Sequence, residues 1–115
     1  MKNSQSTIKK LTITLLAALS TVFSLVSNAE NFDIPALDDA KLFAQYTDEL
    51  PAVINYFTQQ NEQAIIEFYQ QHFGEAISNE MKRGRLTLHF NTKNGDLRVV
   101  ISQQGKRYQV DALLK

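Results

Sequence analysis

The 115-residue sequence contains no cysteine and no tryptophan, and it has only two histidines, two prolines and four glycines. The absence of cysteine excludes a disulfide framework, a cysteine-ligated metal and a lipidated cysteine. The two histidines, His72 and His89, lie outside any HExxH or EF-hand spacing, so no metal site is predicted. The fold must therefore be stabilised by ordinary packing of side chains.

Catalytic motifs are also absent from the sequence. There is no Gly-x-Ser-x-Gly elbow and no glycine loop of the kind that holds phosphates, so no cofactor is predicted. The acid pairs Asp38–Asp39 and Asp48–Glu49 adjoin predicted helix starts, where capping explains them. We therefore expect a protein that is not an enzyme, with a small hydrolase as the third-ranked alternative.

The first 29 residues have the pattern of a secretory signal peptide. Three lysines precede an apolar run, Leu11–Val26, and Ser27 and Ala29 place small residues at positions −3 and −1 of a cleavage site. An uncleaved anchor is the alternative, but this run of sixteen residues is shorter than the ~20 that a span needs. We expect residues 1–29 to be removed, which leaves Glu30–Lys115 as one small periplasmic or secreted domain without a stable membrane anchor.

Charge is divided unevenly along this expected mature chain. Glu30–Glu80 contains ten acidic residues and one basic residue, whereas Met81–Lys115 contains eight basic residues and two acidic ones. One explanation is that oppositely charged layers of a single fold attract each other. The other is that the basic segment steers an anionic partner toward the protein.

The acidic half is predicted to be helical. Apolar residues at helical spacing predict a first helix over Asp39–Thr47, capped by Asp38, and a second over Pro51–Phe73. Gly74 is the expected stop of the second helix. The alternative is that this helix breaks near Thr58–Asn61 and starts again with Asn61 as its cap, although one long helix is preferred.

The basic half is predicted to be an antiparallel meander over Arg85–Ala112, because apolar and polar residues alternate there. Asn94-Gly95 suits a two-residue type I′ turn, which places Phe90 opposite Val99. The apolar face predicted to lie beneath the long helix comprises Leu86, Leu88, Phe90, Leu97, Val99, Ile101, Tyr108 and Val110.

Two further turns complete the predicted sheet. Gln104-Gly105 is preferred over Gly105-Lys106 as the next loop, because it places Arg98 opposite Asp111 as a cross-strand charge pair. Arg83-Gly84 can close a fourth strand over Ile77–Lys82, in which Asn79 would point into the core.

The predicted fold class is therefore α+β, with two N-terminal helices, the second long, packed on one face of a three- to four-stranded antiparallel β-meander. In outline, Leu50–Leu114 resembles the α-α-β-β-β unit of the beta-lactamase inhibitor protein, cystatin-like domains and the PepSY domain. The likeness is one of architecture alone, because the cystatin Gln-x-Val-x-Gly loop is absent.

The outer face of the sheet is the candidate binding surface, since its guanidinium groups can bind carboxylate, phosphate or sulfate. Its residues are Arg85, His89, Arg98, Arg107, Gln109 and Asp111. The predicted function is an exported non-enzymatic interaction module (an inhibitor, chaperone-like protein or envelope-assembly factor) that binds another protein or an anionic envelope component. Nucleic acid is not an expected partner, because this face carries no aromatic residue for base stacking.

Two other modes of binding follow from the same prediction. The last strand is an expected sheet edge near Leu113, where a partner strand or a second copy could add. A small-ligand carrier is the alternative function, with a pocket between the long helix and the sheet. The residues predicted to line it are Tyr56, Tyr69, Phe73 and Tyr108.

Overall fold

A computed structural model describes residues 31–115, in which six strands form one antiparallel sheet and a single helix packs on one face. The elements in chain order are β1 (Lys41–Tyr46), β2 (Ala52–Thr58), α1 (Glu62–Phe73), β3 (Ser78–Lys82), β4 (Arg85–Thr92), β5 (Gly95–Gln104) and β6 (Arg107–Leu114). The order across the sheet is β1-β2-β6-β5-β4-β3. The predicted signal peptide lies outside the described residues.

The prediction of two N-terminal helices is wrong. Asp39–Thr47 contains the edge strand β1, and Pro51–Phe73 contains β2 followed by the twelve-residue helix α1. In β2, every second residue from Ala52 to Thr58 is buried, and the residues between them are half-buried on the other side. A strand that is apolar on both sides carries no clear alternation, and its apolar residues also fit helical spacing. The described chain is therefore mostly β.

Helix α1 begins where the alternative prediction placed it. The Asn61 side chain accepts a hydrogen bond of 2.8 Å from the Ala64 N–H, so Asn61 caps the helix. Gly74 has φ +82°, and its N–H donates to the Gln70 carbonyl at 2.8 Å, which ends the helix as predicted. The face of α1 that contains Ile65 and Tyr69 is buried against the sheet.

The antiparallel meander of β4, β5 and β6 is confirmed, but its first turn is displaced. Thr92 pairs with Gly95, so the turn residues are Lys93 and Asn94, and Phe90 lies opposite Leu97. The Thr92 hydroxyl fixes this turn, because it accepts from the Asn94 N–H at 3.2 Å and donates to the Gly95 carbonyl at 2.8 Å. The shift of two residues keeps every side chain on its predicted face.

The second turn is also displaced, to the alternative loop Gly105-Lys106. Gln104 pairs with Arg107, and Arg98 therefore lies opposite Leu113 rather than opposite Asp111. The predicted cross-strand charge pair does not form. Each side chain again stays on its predicted face of the sheet, because this shift is also two residues.

Strand β3 and its register are confirmed, since Asn79 pairs with Leu88 and Met81 with Leu86 around the turn at Arg83-Gly84. Asn79 is not in the core, however. All five residues of β3 are exposed, because this strand is the edge of the sheet and the helix does not cover it.

The prediction that the last strand forms an edge is wrong. Strand β6 lies between β2 and β5, and Leu113 pairs with Val53 on one side and Arg98 on the other. The edges of the sheet are β1 and β3, because the segments predicted as helices add strands beside β6.

The predicted apolar face is the core of the protein. Seven of its eight residues are buried between α1 and the sheet, and Tyr108 is half-buried. The N-terminal segment contributes Ile34 to the same core. Among residues 31–115, no helix is both long and apolar enough to span a bilayer.

Candidate binding face

All six residues of the predicted binding surface lie on one face of the sheet, opposite α1, which we call the outer face. The strand pairing shows this, because Arg85 pairs with Ser102, Ser102 pairs with Gln109, and His89 pairs with Arg98. Paired residues in an antiparallel sheet project to the same side. The alternation in the sequence therefore identified the members of this face correctly.

Asp111 forms a hydrogen-bonded network near the middle of the outer face. Its carboxylate accepts from the Asn55 side-chain amide at 2.7 Å and from the Gln109 amide at 3.0 and 3.2 Å. Asn55 pairs directly with Asp111 across the β2–β6 ladder. The partners of Asp111 are thus two neutral amides, and the Arg98 side chain is exposed beside His89.

An aromatic cluster covers the part of the outer face nearest β1. The rings of Phe43 and Phe57 lie 4.8 Å apart between centroids, and the Arg107 guanidinium lies 3.7 Å from the centroid of Phe57. This is cation–π geometry, which orients the guanidinium group. Phe43 is 54% exposed, and Tyr46, farther along β1 opposite Val53, is 71% exposed, so the β1 side of the face presents large apolar surface to solvent.

Sequence reasoning missed the aromatic residues of this face. Phe43, Tyr46 and Phe57 were assigned to helices, so the prediction that the outer face has no aromatic residue is wrong. The available signal was the enrichment of β2 in β-branched and aromatic residues, which favours a strand over a helix.

The two histidines lie on different elements. The Nδ1 atom of His72 on α1 is 3.1 Å from the Phe68 carbonyl oxygen, whereas His89 lies on the outer face of β4. No group of three or more His, Asp or Glu side chains within residues 31–115 could hold a metal ion.

The tyrosines of the predicted ligand pocket belong to the core. Tyr56 and Tyr69 are fully buried, and their hydroxyl oxygens are 2.8 Å apart. The Tyr69 hydroxyl also donates to the Pro35 carbonyl at 2.9 Å. Burial raises the pKa of both phenols, because it disfavours the phenolate form. Tyr108, the third of these tyrosines, is half-buried near the start of β6.

A pocket of about 530 Å³ does open beside the helix, but at its C-terminal end. Of the four residues predicted to line a pocket, only Phe73 contacts this one. The other walls come from the N-terminal segment around Ile34, the β4–β5 turn, and the ends of β5 and β6.

Comparison with protein-family models, with curated proteins and with solved structures gave no match for this chain. Its function must therefore be inferred from the geometry of its own surfaces.

Proposed function

We propose that this protein is an exported, non-enzymatic binding module that contacts a partner protein through the outer face of its sheet. The observation that supports this proposal is that α1 covers one face only. No other element of residues 31–115 covers the opposite face. This face carries arginine side chains together with exposed aromatic rings.

The composition of the outer face is suited to binding protein. Arginine, tyrosine and phenylalanine are enriched at interfaces, and tyrosine and arginine are frequent among the residues that dominate binding energy. The Phe43–Phe57 pair supplies an apolar anchor site, and Arg107 is held in place above it. Arg85 and Arg98, farther along the face, can bind carboxylates of the partner.

The partner expected from this chemistry is an acidic protein with an apolar or aromatic anchor residue. An anionic envelope component would engage the same arginines but would gain little from Phe43 and Phe57. The proposal of export depends on residues 1–29, whose sequence has the features of a signal peptide.

Site-specific photo-crosslinking in the producing cells would test the proposal. A benzoylphenylalanine placed at Tyr46, which lies on the outer face at the end of β1 opposite Val53, is expected to give a protein adduct. The same probe at Gln71, on the exposed surface of α1, is expected to give none. The double substitution Arg98→Glu and Arg107→Glu should abolish the Tyr46 adduct, because it reverses the charge on both sides of the face.

The matched control is Lys93→Glu with Lys106→Glu, which makes the same change in net charge at exposed turns. This control should leave the adduct intact, and circular dichroism should show that both variants are folded. The proposal is contradicted if the adduct survives Arg98→Glu with Arg107→Glu, or if the Tyr46 and Gln71 probes capture the same proteins.

A further inference from the structure

The pocket at the C-terminal end of α1 has an apolar floor made by four separate parts of the chain. Ile34 comes from the N-terminal segment, Phe73 from α1, Leu97 from β5 and Leu114 from β6. Ile34, Leu97 and Leu114 are buried. The pocket therefore reaches down to the core of the protein, and its volume of about 530 Å³ is within the range of small-molecule sites.

The wall formed by the N-terminal segment is held in position by hydrogen bonds. The Pro35 carbonyl accepts a hydrogen bond from the Tyr69 hydroxyl, and the Tyr69 hydroxyl is also hydrogen-bonded to the Tyr56 hydroxyl. The Phe32 N–H donates to the Thr47 carbonyl at 2.9 Å. Because these contacts hold the segment beside the end of α1, the pocket is formed before any ligand binds, which lowers the cost of binding.

The exposed residues of the pocket are polar and include charges of both signs. Lys93 and His72 lie on the rim with Asp33, and all three are exposed. The Asp33 carboxylate already accepts a hydrogen bond of 2.9 Å from the Asn31 side chain.

These features restrict the chemical class of the ligand. An apolar floor requires an apolar body, and a single lysine cannot balance a nucleotide or another polyanion. The ammonium group of Lys93 attracts one carboxylate, and Asn94 adds an amide donor on the same turn. Asp33 disfavours a second negative charge.

We propose that this pocket binds a small amphipathic monocarboxylate, with its apolar body on Ile34, Phe73, Leu97 and Leu114 and its carboxylate toward Lys93. The site is separate from the outer face, because its floor is formed by core residues on the helix side of the sheet. The protein would accordingly carry a small ligand on one side of the sheet and contact a partner protein on the other.

Titration of the methyl-labelled protein with octanoate would test this inference by NMR. We expect saturable shifts of the methyl groups of Ile34, Leu97 and Leu114, and no shift of Leu113, which lies on the outer face. Octylammonium, which has the same apolar chain and the opposite charge, should bind more weakly. 1-Octanol should bind with intermediate affinity, because it lacks the charged group.

Lys93→Glu is the informative variant, with Lys106→Glu as a control at the equivalent turn between β5 and β6. Charge reversal at Lys93 replaces the attraction for the carboxylate of an exposed ion pair by repulsion, so octanoate affinity should fall roughly threefold to tenfold. Lys106→Glu should leave it unchanged. The inference is overturned if no saturable shift occurs by roughly 10 mM octanoate, if octylammonium binds equally well, or if both lysine variants behave alike.

Discussion

Replacement of Tyr69 by phenylalanine tests the role of the buried tyrosine pair directly. The Tyr69 hydroxyl takes part in two hydrogen bonds, one with the Tyr56 hydroxyl at 2.8 Å and one to the Pro35 carbonyl at 2.9 Å. Each buried neutral hydrogen bond contributes about 1 kcal/mol, and a buried group left without a partner costs about 1–3 kcal/mol. Tyr69→Phe should therefore lower the free energy of unfolding by about 2 kcal/mol.

Tyr56→Phe should have a smaller effect, about 1 kcal/mol, because Tyr69 would still donate to Pro35. Tyr46→Phe is the control, since it deletes the same hydroxyl group from a side chain that is 71% exposed. Urea unfolding followed by circular dichroism gives the three free energies, and thermal unfolding should show Tm lowered by about 10 °C for Tyr69→Phe.

The reasoning is refuted if Tyr69→Phe costs no more than Tyr46→Phe. It is also refuted if Tyr56→Phe lowers the free energy of unfolding more than Tyr69→Phe does, since the larger loss of stability would then not follow the larger number of lost hydrogen bonds. A double variant of Tyr56 and Tyr69 should cost less than the sum of the two single variants, because both remove the same bond between the hydroxyls.

Two further predictions concern pH and backbone conformation. Burial raises the pKa of Tyr56 and Tyr69 above the ordinary value of 10.0, so above pH 10 the unfolded chain loses protons that the folded protein keeps. The free energy of unfolding should be unaffected by these groups below pH 10 and should fall above it by up to about 1.4 kcal/mol per pH unit for each tyrosine. Urea unfolding at pH 9, 10 and 11 measures this dependence. The prediction is contradicted if Tyr69→Phe shows the same slope of unfolding free energy against pH as the unmodified protein. Gly95→Ala should be more destabilising than Gly105→Ala, because the new Cβ at φ +140° would lie 2.6 Å from the Lys115 carbonyl oxygen, whereas Gly105 at φ +65° has open space around it. The Gly105 variant should cost about 1–2 kcal/mol from its left-handed backbone alone, and equal unfolding free energies for the two variants would show that the contact with Lys115 is unimportant.

The sequence was sufficient to predict the basic half of the sheet because that half shows clear alternation. From Arg85 onward, one side of each strand packs under the helix and the other is largely polar, so the two faces differ in composition. Shifts of two residues in both turns did not disturb this prediction. The six predicted binding residues could be assigned to the outer face from the alternation alone.

The acidic half was mispredicted mainly because β2 has apolar residues on both of its sides. Val53 and Phe57 are half-buried on the outer face while Ile54 and Tyr56 are buried beneath the helix. Because these strands were predicted as helices, the aromatic residues that they contribute to the binding face were not predicted. Strand length would have been informative, since the polar residues before Asn61 limit the apolar run to seven residues, which is short for a helix.

The pocket could not have been predicted from local patterns. Its four floor residues come from the N-terminal segment, α1, β5 and β6, and only the register of β5 against β6 brings Leu97 beside Leu114. That register depends on which of two turns forms, and the two candidate turns differ by two residues.

The position of β2 beside β6 also determines the order in which this chain can fold. Asn55 and Asp111, which are hydrogen-bonded to each other on the outer face, are 56 residues apart in sequence. By contrast, β3, β4 and β5 each pair with the strand that follows them in sequence. Contacts between distant residues form slowly, because a long loop must close first. When the chain emerges N-terminus first, the edge of β2 that faces β6 has no partner until the last strand, which has eight residues, has also emerged. During that interval the hairpin is the segment most exposed to aggregation and to chaperones.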